Sequence, residues 1–165
     1  MIAVILRAMI RMTILILFFQ SPNSIWAQSF HLTDTTFTVG SQLIHGTLYN
    51  PNCQLNNTDR PFLDSLANLI LRNKQISIEI ELHTDIRGSE ESNLRRTEVC
   101  GKSRLMDYFQ SKDPKLMERI TFKCLGESQP IFTKKEIEKI LNTAESEKAH
   151  LANSRTVIKI TQIAD

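Results

Sequence analysis

The sequence predicts an α/β (α+β) sandwich: a single mixed sheet of about four strands, two main helices packed on one face, and an extra helical insertion before the last strand. Three observations carry this. Ile76, Ile78, Ile80 and Leu82 alternate with Ser77, Glu79, Glu81 and His83, the two-residue period of a strand with one apolar face. Segments of helical period stand before and after that strand, at residues 62–70 and 99–109. No internal repeat or low-complexity tract complicates the order of strands and helices.

Taken in order, residues 30–48 are rich in Thr, Val, Phe and Leu, are punctuated by Gly40 and Gly46, and suit one or two short strands. Residues 50–57, with Asn50, Pro51, Asn56 and Asn57, form a turn-prone connector. A first amphipathic helix follows, with Pro61 in its first turn behind Thr58 or Asp59 as cap; Phe62, Leu63, Leu66, Leu69 and Ile70 form its stripe, and it ends near Asn73. The alternating strand comes next. After a turn at residues 85–89 a second helix extends to about Gln110, with Val99, Leu105, Met106 and Phe109 sharing one stripe. Residues 120–125 make another strand. Thr133 and Glu136 have capping-box spacing ahead of Ile137, Ile140 and Leu141, which opens a third helical segment, broken near Asn142 and resumed to His150. The final strand is residues 157–160.

The 165 residues amount to one domain and a short appendage, with an export signal at residues 1–27, a lead segment at 28–42 and the domain proper at 43–165. Arg7 and Arg11 precede the apolar run 12–19, and a polar stretch leads to Ala27, after which cleavage is expected although Ile25 stands three residues before the cut. An uncleaved anchor is the alternative; the run itself is too short to span a bilayer. The formal net charge is +2, and removing the signal leaves 18 residues of each sign. A neutral chain has no excess positive charge to release phosphate counterions, so nucleic acid is excluded as a partner, and a charged-lipid surface is disfavoured likewise.

Export implies an oxidising compartment and an odd set of thiols, Cys53, Cys100 and Cys124. One must stay free or pair outside the chain. No CxxC element suggests zinc or redox chemistry, a chain of this length folds without disulfides, and Cys100 and Cys124 are expected to be packed. Catalysis finds little support, because Ser89 and Ser92 lack a nucleophile-elbow context and no phosphate loop or HExxH element occurs. Glu79, Glu81, His83 and Asp85 share one strand face. A solvated face explains them better than a metal site, and no metal or cofactor is implied.

The run His83, Thr84, Asp85, Ile86, Arg87, Gly88, Ser89, lying between a strand and a helix, resembles the hallmark of the OmpA-like domain, a peptidoglycan-binding module of Gram-negative envelopes. Asn93 stands where that family's helix has its Asn. Residues 125–130 are similar to the family's Gly-Glu-x-x-Pro loop, and residues 153–157 to the stretch opening its last strand. The resemblance covers about residues 43–162, and the insertion at 137–150 is similar to the extended form of Bacteroidetes members.

The resemblance implies a non-catalytic periplasmic module that binds the diaminopimelate of the peptidoglycan peptide stem, with an outer-membrane or envelope protein as a further partner. In the family an Asp takes the ligand's ammonium and an Arg 15 residues later takes its carboxylate as a bidentate pair. Asp85 matches the first; the second position is Cys100 here, or Gly101 with a one-residue slip. Leu82 and Cys124 further replace family glycines, which narrows the pocket. Arg96 and Arg104 lie one helical turn to either side of Cys100, and Arg87 and Arg155 border the site, so the implied ligand set is Thr84, Asp85, Gly88, Asn93, Arg96, Arg104 and Arg155. Each has a plain structural reading as well. Asp85 holds a turn through its own backbone hydrogen bonds, Gly88 supplies a permissive backbone, Asn93 is a surface helix residue and Arg155 an ion-pair partner. The alternative function is a divergent scaffold that has lost the ligand and serves protein interaction.

Overall fold

The computed structural model describes residues 28–164, so the export signal expected at 1–27 lies outside the described residues. The element order is β1 (Gln42–Gly46), α1 (Arg60–Arg72), β2 (Ile76–His83), α2 (Glu90–Arg96), α3 (Ser103–Lys112), β3 (Ile120–Gly126), α4 (Lys134–Ile137), α5 (Thr143–Asn153) and β4 (Arg155–Ile163). One four-stranded sheet has the order β1-β4-β2-β3; β4 is antiparallel to both its neighbours, and β2 is parallel to β3. The expected mixed sheet with helices over it is the architecture found.

The core lies between the sheet and the main helices. Ile76, Ile78, Ile80 and Leu82 of β2, with Ile158 and Ile160 of β4, are closed over by Leu63, Leu66, Leu69 and Ile70 of α1 and by Leu105 and Phe109 of α3. Fully burying each such side chain stabilises the fold by about 1.5–3 kcal/mol. The lead segment is part of this body: Phe30 is in the core, and the backbones of Gln28 and Phe30 bond to Gln42 at the start of β1. Of the strands expected in residues 30–48, one forms. The capping box at Thr133 and Glu136 is present, and the insertion breaks at Asn142, whose side chain accepts from the backbone N–H of Ala144 and Glu145 to start α5.

Three expectations need correction. The second helix is not one continuous stripe, because a π-type turn at Thr97–Lys102 separates α2 from α3. A wide turn inserts a residue and rotates the face, so Thr97, Cys100 and Gly101 point inward while Val99 is 50% exposed. Cys100 is not simply packed but disulfide-bonded to Cys53; the turn held by Asn50, whose Oδ1 accepts from the backbone of Asn52 and Gln54, presents Cys53 to it, and Cys124 is the free thiol. The polar face of β2 is not solvated along its length, since Glu81 and His83 are 3% and 2% exposed. β2 is a central strand, and the long basic side chains of its neighbours close over it: Lys159 on β4 and Lys123 on β3 reach Glu81 at 2.8 and 3.4 Å.

Candidate functional site

The topology brings the C-terminal ends of β1, β2 and β3 and the N-terminal end of β4 to one end of the sheet, since Gly46 pairs with Arg155, Leu82 with Thr156 and His83 with Gly126. A cavity of about 470 Å³ opens there, lined by Thr84, Asp85, Arg87, Asn93 and Arg96, by Thr47, Tyr49 and Pro51 from the segment after β1, and by Leu151 and Ser154 from the insertion. Four of the residues picked from sequence, Thr84, Asp85, Asn93 and Arg96, therefore share one cavity.

The turn after β2 is built by its own polar groups. Asp85 Oδ1 accepts the Arg87 backbone N–H at 2.8 Å, and Oδ2 accepts Arg87 Nε and Nη2 at 2.8 and 2.6 Å. The other arm of the guanidinium, Nη1, reaches Glu147 of α5 at 3.1 Å. Gly88 follows at φ +102, a conformation that L side chains rarely adopt, and Ser89 then caps α2 by accepting from the Ser92 backbone. Asn93 is not a surface residue. It is 6% exposed, and its Nδ2 donates to the carbonyls of Asp85 and Arg87 and to Glu127, tying the turn to the helix and to the loop after β3. That loop approaches closely because Gly126, at φ +52, has no side chain; a Cβ there would stand 2.8 Å from the Leu94 backbone nitrogen.

Three residues of the cavity wall carry hydroxyls that have no partner in the protein and are themselves closed off from solvent. The hydroxyls of Tyr49 and Thr84, on residues 4% and 6% exposed, accept and donate nothing, and Thr47 Oγ1 is also unpaired. Burial, more than the opposing Arg96 charge, pushes the Tyr49 phenol up to about 12, so it is a neutral donor. Arg96 forms no ion pair or hydrogen bond among the described residues.

The remaining candidates lie elsewhere. Gly88 supports the turn but lines a neighbouring cleft with Ile137 and His150. Arg104 lines a separate cavity beside Arg60 and donates from Nε to the Cys53 carbonyl. Arg155 faces the opposite side of the sheet near Glu81, with its guanidinium on the carbonyls of Asn153 and Gln129. Asn153, at the end of α5, is fully buried and holds the backbone of Ile131 and Phe132 with three hydrogen bonds.

The departures from the family pattern have a joint packing reason. A Cβ on Gly101 would meet Leu82 Cδ1 at 2.8 Å and Tyr49 Cε1 at 3.0 Å, so Leu82 and Tyr49 fill the space that a long side chain on this turn would need. Cys124 is paired across from Leu82 and is half-buried, and burial holds its thiol above the ordinary range. Sequence reasoning missed Thr47, Tyr49, Leu151 and Glu147; only the β1-β4-β2 order and the fold of the insertion bring them to the turn.

No family model matches the sequence, and no curated protein matches it. Solved structures do. A MotB like protein from Desulfovibrio vulgaris is similar over 73% of this chain and 74% of its own, at 19% identity and a TM-score of 0.57. The cell wall anchor of the T6SS from Pseudomonas aeruginosa is similar over 73% and 80%, at 12% identity and 0.54. The OmpA-like domain of FopA1 from Francisella tularensis is similar over 74% and 73%, at 15% identity and 0.50. Identities this low establish a shared fold.

Proposed function

We propose that this chain, whose fold is that of the OmpA-like domains, is a non-catalytic periplasmic module of the cell envelope that binds peptidoglycan through its peptide stem. The observation that carries this reading is the cavity beside the Asp85 turn, where Arg96 has no ion-pair partner among the described residues. A ligand carboxylate would give Arg96 the charge partner it lacks. The finer reading is that a diaminopimelate residue of the stem is the group held. Its carboxylate would lie on Arg96, which stands in for the arginine absent at Cys100, and its body against Thr84 and the Asp85 turn. The wall-anchoring role has further support in the solved neighbours, one of which is described as a cell wall anchor.

Co-sedimentation with purified sacculi tests it. Wild type is retained; Arg96→Gln loses a charge-assisted hydrogen bond of about 1.5–3 kcal/mol and weakens retention by roughly ten- to a hundredfold. Asp85→Ala frees the Arg87 turn and weakens it too. Equal retention of all three proteins, or of none, would remove the proposal. The packing of Leu82 and Tyr49 against Gly101 favours a second reading, a scaffold that has lost the ligand and serves protein interaction. On that reading no variant of the cavity changes retention.

A further inference from the structure

We infer that Arg87 is the specificity-determining residue of the cavity: its guanidinium takes the place at Asp85 that an ammonium group would take, so the cavity reads a ligand's carboxylate and ignores a neighbouring amine. The inference rests on the cavity being a ligand site, as proposed above.

A carboxylate offers about four lone-pair positions. Three donors already lie on Asp85, namely the Arg87 backbone N–H on Oδ1 and its Nε and Nη2 on Oδ2. An incoming ammonium finds one position, or must strip a two-pronged charge-assisted contact while giving up its own strong hydration. Stripping it is made harder from outside, because Nη1 of the same guanidinium is held by both carboxylate oxygens of Glu147 at 3.1 and 3.3 Å. The insertion thus clamps Arg87 onto Asp85. Arg96 remains as the charged wall residue without a partner among the described residues.

The test compares two small probes by calorimetry. Pimelate and meso-diaminopimelate share a seven-carbon dicarboxylate skeleton and differ in the two amines. Wild type is expected to bind them within about threefold of each other. In Arg87→Gln the backbone N–H still bonds Asp85 Oδ1 but Oδ2 loses its two guanidinium donors, and the preference shifts toward diaminopimelate by about tenfold or more, the size of one charge-assisted contact. Glu147→Gln, which loosens only the outer clamp, moves the preference in the same direction by less.

A tenfold preference for diaminopimelate in wild type overturns the inference, and so does an unchanged ratio in Arg87→Gln or the absence of binding to either probe. The sacculus experiment separates the two proposals. Retention on sacculi without pimelate binding strikes this inference and leaves the wall-binding reading; pimelate binding without retention does the reverse.

Discussion

His83 gives the structure its sharpest dependence on acidity. The ring is 2% exposed, both nitrogens lack hydrogen-bond partners, and it lies between Glu81 on its own strand and Arg155 and Lys159 on β4, with Lys123 on β3 beyond Glu81. Burial, followed by the Arg155 charge, lowers its pKa from 6.5 to about 4. The unfolded chain therefore takes up a proton that the folded chain refuses, so stability is full above pH 6.5 and falls as the pH drops toward 4. Between pH 7 and pH 5 the loss from this group is at most about 2 kcal/mol, since one pKa unit corresponds to about 1.4 kcal/mol. Burial alone would raise the Glu81 carboxyl, but Lys159 and Lys123 hold it below 4.5, so its contribution is lost only at lower pH and the window belongs to His83. Urea unfolding at pH 7, 6 and 5 reads the effect. Wild type loses the stated stability across the series, and His83→Gln, which cannot titrate, has a flatter profile. Parallel profiles for the two proteins would refute the argument that a neutral ring is buried there.

Other consequences follow from the same packing. Gly126→Ala meets both a left-handed backbone and a backbone contact at 2.8 Å, and lowers unfolding stability by about 2–4 kcal/mol in urea melts. Cys53→Ser opens a link of 47 residues and lowers stability by about 2–4 kcal/mol, and reduction of wild type by dithiothreitol moves the urea midpoint the same way. Asn93→Ala leaves the carbonyls of Asp85 and Arg87 without a donor, which costs about 1–3 kcal/mol and speeds amide exchange in the turn before it spreads to β2.

The sequence makes the layered sheet and the candidate turn legible wherever a pattern is local. The alternation through Ile76, Ile78 and Ile80 survives because β2 is central, and the capping box at Thr133 with the stop at Asn142 needs only neighbouring residues. Val99 is misplaced by helical periodicity because the π-type turn changes the residues per turn, which no local propensity reports. Glu81 and His83 look solvated because alternation describes one strand, whereas Glu81 is met by the long side chains of Lys123 and Lys159 from the strands on either side. The cavity is half legible. Thr84, Asp85 and Asn93 are found by motif and Arg96 by its spacing from Cys100, while Tyr49 and Glu147 come from distant segments that share no pattern with the turn. The Cys53–Cys100 pair is likewise invisible until the connector folds back on the helix.

The most direct measurement is an NMR titration of the isotopically labelled protein with a purified peptidoglycan stem peptide. Binding at the cavity predicts saturable shifts confined to the backbone of Thr47, Tyr49, Thr84, Asp85, Arg87, Asn93 and Ser154, lost in Arg96→Gln. Shifts that instead centre on the separate cavity beside Arg60 and Arg104, or a spectrum unchanged at millimolar peptide, would contradict it.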